Sequence, residues 1–361
     1  MISIRKVAFY GSSYDYSLVV EGLAPLQHVV ELERIEDEPL LCDADILFLG
    51  HHLPLFDANR ILAEGTPHAR YVVVVSHGPF PLNGTPAPTS LGAMAYHFRW
   101  QSEPTLASAI VELVRDQCNA EEFYHVQHRR FLLLIEDEVN FASYFIPLIL
   151  RELTERTLSL LPPQSTESRQ KAETERPVLL LASDFETAVE FMTRYGDRTV
   201  GVISALGFPR NGRNDRDAGI RLLEKRNELN AEFPVVIISA RQEREPEILA
   251  LGAAFLPKTS PHLLSGLRQH LLDSFGFGDF IFRMPAAQHG AGEVARARSL
   301  LELRQCLEWV PMESFLYHAS KRHFSNWLGV HGHLQLAEVV REIPPEEGEL
   351  ARKKLLDLLQ S

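Results

Sequence analysis

The sequence predicts an α/β protein: two tandem doubly wound parallel-sheet domains followed by a mainly helical C-terminal module. Three observations support this fold class. Between residues 131 and 275, apolar runs of strand length alternate with stretches of helical periodicity, which is typical of a parallel sheet covered by helices. A second, more degenerate set of such runs fills residues 5–118. After residue 275 the periodicity becomes mainly helical.

These patterns divide the chain into four parts. We expect a degenerate α/β domain over residues 1–118, a linker over 119–130, a better-defined α/β domain over 131–275 and the helical module over 276–361. His125 lies in the polar linker stretch, three residues before a second histidine, and neither has a convincing ligand set around it. We expect both histidines to be solvated.

The apolar runs of residues 131–275 end beside residues that could line a pocket. The predicted strands cover residues 131–135, 177–182, 200–204, 235–238 and 253–256, and the predicted helices cover 140–153, 184–195, 217–229 and 260–272. Ligands of open parallel sheets bind beyond the carboxyl ends of the strands. The residues expected there are Glu136, Asp137, Ala205, Ser239 and Lys258.

This stretch resembles the receiver domain of two-component response regulators, which has a flavodoxin-like fold. The resemblance implies that Glu136 and Asp137 are the acidic pair that holds Mg2+ in that family. It also implies that Ser239 is the hydroxyl after the fourth strand and that Lys258 is the lysine after the fifth strand. A catalytic residue is not expected in this chain.

The acceptor aspartate of that family stands four residues before a proline. Here Pro209 places Ala205 at the acceptor position, and alanine offers neither a nucleophile nor a metal-ligating oxygen. We therefore expect no aspartyl phosphate there and weak Mg2+ binding at most, because ligand number and charge set the affinity of such sites. Lys258 is then expected to pair with Asp137, which avoids an uncompensated buried charge.

Residues 5–118 carry the same marks in degenerate form. The predicted strands cover residues 6–10, 29–33, 44–49 and 71–75. The resemblance places Gly50 at the acceptor position, Ser76 at the hydroxyl and Arg99 at the lysine, while Gly11-Ser12-Ser13 replaces the acidic pair. The alternative is another small doubly wound α/β domain.

Three polar stretches predict irregular structure. The proline-rich residues 77–89 replace most of an expected helix. Residues 161–175 are expected to form an exposed insertion, either a docking loop or a disordered segment. Residues 210–216 carry three arginines and are expected to form a solvated loop, with anion binding at the pocket mouth as the alternative.

The C-terminal part predicts a short strand near residue 280, a loop at 288–292 and four helices. The helices are expected over residues 293–310, 312–330, 333–341 and 345–359. Residues 314–343, with the sequences FGFGDF and FPRNG before them, resemble a segment beside a receiver-like domain in bacterial proteins similar to pyruvate phosphate dikinase and phosphoenolpyruvate (PEP) synthase. The resemblance implies a regulatory portion of such a protein. Tyr317, Phe324 and Trp327 are expected to be core or partner anchors.

Composition narrows the classes of partner. The 36 Lys and Arg residues against 48 Asp and Glu give a net charge of −12, which disfavours nonspecific nucleic-acid binding. Cys42, Cys118 and Cys306 are far apart and match no metal spacing, as expected of thiols in a reducing compartment. No apolar run approaches the roughly 20 residues needed to span a bilayer. We expect a cytoplasmic protein.

Three functions remain open from the sequence, and a fourth, a small-ligand sensor, rests only on the Gly11-Ser12-Ser13 turn. The first is a non-enzymatic signalling or scaffold protein of the phosphorelay type, which acts through protein contacts of pseudo-receiver domains. The second is the regulatory subunit or fragment of a PEP-synthase-like phosphotransfer system. The third is a true receiver whose acceptor Asp is replaced at Ala205. The expected partners are proteins, such as a histidine kinase or a PEP-utilising enzyme-like protein, or a second copy in a homodimer.

Overall fold

The computed structural model describes residues 2–36, 42–50, 61, 69–77, 94–100, 105–159, 172, 175–229, 233–285 and 292–360. Nearly all of the proline-rich stretch at 77–89, most of the insertion expected at 161–175 and residues 288–291 of the loop expected at 288–292 lie outside these ranges.

The first sheet consists of five parallel strands in the order β2-β1-β3-β4-β5. The strands are β1 (Lys6–Tyr10), β2 (Glu31–Ile35), β3 (Ile46–Gly50), β4 (Tyr71–Ser76) and β5 (Met94–Arg99). Helices α1 (Ser13–Leu23) and α2 (Leu106–Cys118) pack against each other beside this sheet. The strand order reverses at β1, which makes the first unit doubly wound.

The second sheet has the same order, β7-β6-β8-β11-β12, and all its neighbouring strands are parallel. Its strands are β6 (Phe131–Ile135), β7 (Val178–Ala182), β8 (Thr199–Ala205), β11 (Val235–Ser239) and β12 (Ala254–Pro257). Every residue of β6, β8 and β11 is buried, because helices cover both faces. This explains why these strands are continuous apolar runs. The predicted pair of parallel-sheet α/β units is confirmed.

Helices surround the second sheet, and one short strand pair adds to them. The helices are α3 (Ala120–His125), α4 (Val139–Ser159), α5 (Phe185–Tyr195), α6 (Ala218–Glu228), α7 (Glu245–Ala250) and α8 (Leu263–Asp273). The loop expected at 210–216 is instead an antiparallel pair, β9 (Phe208–Arg210) and β10 (Arg213–Asp215). Its turn residues Asn211 and Gly212 have φ angles of 51° and 69°. An Asn-Gly turn is a hairpin signal.

The stretch expected to be a polar linker contains α3. Phe123 of this helix is buried against the second unit, so the segment is anchored rather than extended. His125 is exposed and lies 3.3 Å from Glu121, one helical turn away. The helix places this histidine at the surface, as expected.

Each α/β unit covers the open edge of the other unit's sheet. Helix α2 of the first unit lies along β7, where Asp116 accepts a hydrogen bond of 2.9 Å from the Leu179 amide. Helix α4 of the second unit lies along β5, where Ser143 accepts one of 2.8 Å from the Arg99 amide. Unpaired edge groups invite pairing with other chains. Here side chains of the neighbouring unit satisfy part of both edges.

A buried ion pair holds this contact. The Arg176 guanidinium and the Asp116 carboxylate are both fully buried and 2.7 Å apart, and Glu112 lies 3.0 Å from the other side of the guanidinium. Arg129 donates two hydrogen bonds to the Arg176 carbonyl oxygen. The opposite charges are thereby paired at the contact between the units, although Arg176 Nε and Asp116 Oδ1 form no hydrogen bond.

The C-terminal module combines a strand pair with helices. Strands β13 (Phe280–Arg283) and β14 (Glu293–Ala297) are antiparallel. The helices are α9 (Leu300–Leu307), α10 (Met312–Ser320), α11 (His323–Val330), α12 (Leu334–Arg341) and α13 (Glu349–Leu358). The mainly helical character agrees with the sequence prediction.

Two predicted helices of this module have different boundaries. The helix expected at 293–310 was wrong in its first part, which forms β14. Alternating exposure in EVARA fits β14, and Ser299 then caps α9 by accepting a hydrogen bond from the Glu302 amide. The helix expected at 312–330 is divided, because Arg322 adopts a left-handed conformation with φ of 56°.

The module packs against the amino ends of the strands of the second sheet. Arg130, directly before β6, donates to Glu338 at 3.0 Å and to the Ser325 carbonyl at 3.1 Å. Arg198, directly before β8, donates to Glu338 at 2.6 Å. A Cβ at Gly329 would lie 2.5 Å from the Arg130 Nε, so glycine makes room for the buried guanidinium. The module is therefore opposite the carboxyl ends of the strands.

We expect Asp116→Ala to lower the free energy of unfolding by about 3–5 kcal/mol, because it leaves the buried Arg176 charge without its closest partner. Chemical denaturation would measure the loss. Glu228→Ala is the control, since Glu228 pairs with Lys225 at the surface and its loss should cost about 1 kcal/mol or less. Equal small losses in both variants would contradict the importance of the buried pair.

Candidate functional site

The carboxyl ends of the second sheet bring most of the expected pocket residues together. Asp137, Ala205, Ser239 and Lys258 line one cavity of about 210 Å³. Glu136 is buried and contacts these residues through Lys258, whose ammonium donates a hydrogen bond to it. Parallel strands all end at this edge, which is why residues more than 100 positions apart meet there.

Lys258 binds two glutamates rather than the aspartate expected from the sequence. Its Nζ lies 3.3 Å from Glu136 Oε2 and 2.5 Å from Glu138 Oε2. It also lies 3.6 Å from the centroid of the Phe141 ring, on the first turns of α4. The predicted pair with Asp137 was therefore wrong. Sequence reasoning missed the role of Glu138, although it is the third acid of the EDE run.

Burial governs the protonation of the acidic pair. Burial raises the pKa of the Glu136 carboxyl to about 7, although the Lys258 ammonium acts against this rise. The Glu138 amide donates to Glu136 Oε1 at 3.1 Å. Burial also raises the pKa of Asp137. The pocket can therefore take up protons near neutral pH.

Ala205 contributes no side-chain oxygen to the pocket. It is buried at the end of β8, and its carbonyl oxygen accepts a hydrogen bond from the Ser204 hydroxyl. Across the described ranges, no group of three or more His, Cys, Asp or Glu side chains is placed to hold a metal ion. Glu136 is already bound to Lys258. The residues present fit a Mg2+ site poorly, because a hard cation needs several oxygen ligands.

Ser239 and the nearby arginines form the other wall. The Ser239 hydroxyl oxygen accepts a hydrogen bond of 3.1 Å from the Arg241 amide. The Arg241 guanidinium donates to Asp217 at 2.8 Å and to the Arg216 carbonyl at 2.9 Å. Of the three arginines at 210–216, Arg216 lines the cavity, while Arg210 lies 3.7 Å from Asp215.

The first sheet has a carboxylate at its carboxyl end that sequence reasoning missed. A Cβ at Gly50 would lie 2.9 Å from Asp15 Oδ2. Asp15 is buried, accepts a hydrogen bond of 2.8 Å from the Ser12 hydroxyl and lies 2.7 Å from His77 Nε2. The Asp15 amide in turn donates to the Ser12 hydroxyl oxygen. The Ser-x-x-Asp spacing of a helix cap was the available signal.

The other two residues predicted for this degenerate site have separate contacts. The Ser76 hydroxyl lies 2.8 Å from His97 Nε2 on the neighbouring strand. The Arg99 guanidinium donates to Asn140 Oδ1 at 2.9 Å, on α4 of the second unit. Arg99 thus helps to join the two units.

The aromatic residues proposed as anchors belong mostly to the core of the module. Phe324 is buried and stacks on Phe280 with ring centroids 4.9 Å apart. Trp327 is buried and donates from its indole to the Gly278 carbonyl at 2.9 Å. Tyr317 is half-buried, with Lys321 over its ring.

Comparisons with known proteins found no family model and no curated protein that matches. Among solved structures, the C-terminal region of RcsC from E. coli, with its linker region and phosphoreceiver domain, is 12% identical at a TM-score of 0.26, over 74% of this chain and 92% of that chain. GanP, a glucose-galactose binding protein from Geobacillus stearothermophilus, is 11% identical at a TM-score of 0.24, over 82% of this chain and 98% of that chain. The LpoA C-domain from Haemophilus influenzae, a regulator of PBP1A, is 8% identical at a TM-score of 0.22, over 94% and 88%.

All three TM-scores are below 0.5, so these similarities indicate nothing about the function of this chain. Within the described ranges, no helix is both long enough and apolar enough to cross a bilayer.

We expect Glu136→Gln to reduce the dependence of stability on pH between about pH 4.5 and 7. The pKa of Glu136 is higher in the folded chain than the roughly 4.3 of an unfolded one, so folding takes up a proton. This contribution is present below pH 4.3 and is lost as the pH rises through 7, which amounts to about 4 kcal/mol. Thermal unfolding at a series of pH values would measure it.

The matched control is Glu138→Gln, which removes the exposed glutamate bound to the same lysine. It should retain the pH dependence of the parent chain. A Glu136→Gln variant with the full parental dependence would show that another group is responsible.

Proposed function

We propose that this chain is a regulatory or scaffold protein of signal transduction, of the phosphorelay type, that acts through protein contacts and independently of phosphorylation. The observation that carries the proposal is the ion pair of Lys258 with Glu136 and Glu138 beside Ala205. Lys258, which is expected to contact a phosphoryl group, is paired with two glutamates. Ala205, at the acceptor position, has only a methyl side chain.

The pocket at the carboxyl end of the second sheet lacks groups that would bind a phosphoryl group more tightly in one conformation than in another, as a phosphorylation switch requires. A ligand shifts a conformational equilibrium only through its different affinity for the two states. In receivers, to which the resemblance points, a phosphoryl group draws the hydroxyl and an aromatic side chain inward. Here the Ser239 oxygen accepts from the Arg241 amide, and Lys258 is bound before any phosphate arrives. A single stable arrangement favours constant docking surfaces over switching.

The first unit supports the same proposal. Gly50 stands at the acceptor position, and Asp15 approaches it from the first turn of α1. This carboxylate is already paired with His77 and bonded to Ser12. Gly50 and Ala205, the last described residues of the third strand in each unit, carry no carboxylate of their own.

The second candidate function is a regulatory subunit or fragment of a PEP-synthase-like phosphotransfer system. Its support is the sequence resemblance of residues 314–343. This segment packs on the amino ends of the second sheet, where Arg130 donates a hydrogen bond to Glu338. The C-terminal module and the second α/β unit are therefore in direct contact. A partner copurified with the full chain, and identified by mass spectrometry as a PEP-utilising protein, would favour this candidate over a histidine kinase partner.

We also propose that the chain forms a homodimer through the face built from α7, β12 and α8. Light scattering of the full chain at micromolar concentration should give a dimer mass. A monomer mass across that concentration range would remove the homodimer from the proposal.

The proposed function predicts that this chain gains no phosphoryl group during incubation with acetyl phosphate and Mg2+. Intact-mass analysis would detect the adduct, and labelling of the parent chain would overturn the proposal. Ala205→Asp distinguishes the remaining alternative, a true receiver with a replaced acceptor. Labelling of that variant, but not of Ala205→Asn, would show a competent pocket that one residue inactivates. If neither variant is labelled, the pocket itself is unfit for phosphotransfer.

A further inference from the structure

A larger cavity lies at the opposite end of the second sheet. It has a volume of about 600 Å³ and lies between the amino ends of β8, β11 and β12 on one side and the C-terminal module on the other. Small-ligand sites typically fall between about 300 and 1,000 Å³ and often lie between domains. The cavity shares no lining residue with the carboxyl-end pocket.

Two histidines at its wall form a chain of hydrogen bonds whose direction is fixed. The Arg283 amide can only donate, so His318 Nε2, 2.9 Å away, must accept. A neutral His318 then carries its proton on Nδ1 and donates to His323 Nδ1, also 2.9 Å away. His323 must in turn carry its proton on Nε2. The backbone of β13 thereby makes His323 a hydrogen-bond donor.

Both imidazoles remain neutral near pH 7. Burial, with a smaller contribution from neighbouring positive charge, lowers the pKa of His318 to about 3 and that of His323 to about 4. The ring of His323 lines the cavity. Among the described residues, His323 Nε2 has no hydrogen-bond acceptor, while its Nδ1 is occupied.

Cationic groups surround this donor. Arg283 and Lys321 line the cavity beside His323, and both lower its pKa through their charge. The Arg226 guanidinium also lines it and donates to the Leu251 carbonyl. Two acids face the same space. Asp279 is already held by Arg296 at 3.1 Å, and Asp273 accepts from Gln269 at 2.5 Å.

We propose that this cavity binds a small anion that bears a phosphate or carboxylate group, with Arg283, Lys321 and the His323 Nε2–H as its donors and Asn326 beside them. The Arg283 guanidinium supplies a planar fork that matches oxyanions, and Lys321 supplies a point charge. The neutral His323 adds a donor of fixed direction. Phe280 and Trp327 offer apolar wall for the remainder of the ligand.

This site joins the module to the second unit, so an occupant would stabilise their contact. A ligand that binds only the folded chain raises stability in proportion to the logarithm of its concentration above Kd. The proposal does not depend on the phosphorylation state of the carboxyl-end pocket, because the two sites lie at opposite ends of the sheet.

The test uses isothermal titration calorimetry of the full chain with inorganic phosphate and, separately, with malonate, at constant ionic strength maintained by sodium chloride. We expect saturable binding and a rise in the thermal midpoint. Arg283→Gln and Lys321→Gln should each weaken binding about tenfold or more, as loss of a charged hydrogen bond does. Lys353→Gln is the matched control, because this exposed lysine of α13 lies outside the cavity and should bind as the parent does.

The two anions distinguish the ligand chemistry. Binding of phosphate alone indicates a phosphoryl group, binding of malonate alone indicates a dicarboxylate, and binding of both indicates a general oxyanion site. Absence of saturable binding to both, or equal binding by all variants, would overturn the proposal.

Nitrogen-detected NMR of the histidines provides a second measurement on the unliganded chain. His323 should be neutral at pH 7 with its proton on Nε2, and that signal should shift on addition of the anion that binds. A proton on Nδ1 of His323 would contradict the hydrogen-bond chain and the donor role built on it.

Discussion

The burial of Arg176 between the two α/β units is the constraint on which the arrangement of this molecule depends. A fully buried guanidinium is costly unless charged partners and hydrogen bonds surround it. Asp116 and Glu112 of α2 provide the opposing charge, and Asp116 also accepts from the Leu179 amide at the sheet edge. The Asp116 carboxylate thus pairs with the Arg176 charge and also accepts a hydrogen bond from an amide of the edge strand β7. Separation of the units would break both this ion pair and this contact at the sheet edge.

The reciprocal contact at Arg99 completes this arrangement. Its amide donates to Ser143 and its guanidinium to Asn140, so the edge of the first sheet is joined to α4. That helix begins directly after the acidic run that holds Lys258. The joint between the units and the carboxyl-end pocket therefore share one helix, which links the geometry of the pocket to the packing of the two units.

The two ends of the second sheet have different chemistry. At the carboxyl end, acids and a lysine neutralise one another in a small pocket around Ala205. At the amino end, the pair of buried Arg130 with partly exposed Glu338 secures the module. The larger cavity beside it has a neutral histidine donor, cationic side chains and two acids in its lining. The paired acids and lysine at one end, and the cationic and histidine donors that line the cavity at the other, favour the amino end for reversible recognition of a small anion.

The sequence by itself determined the strands of the two parallel sheets in outline, most helices and the group of residues at the carboxyl end of the second sheet. Apolar runs and helical periods are local signals, and parallel strands necessarily bring their ends together. Tertiary structure decided which acids Lys258 binds, because Glu136, Asp137 and Glu138 are adjacent in sequence and only the fold sets which of them reach the ammonium group. It also brought Asp15 to Gly50 and paired His318 with His323. β14 formed a strand because β13 was available to pair with it, and such partner choices depend on contacts that no local pattern encodes.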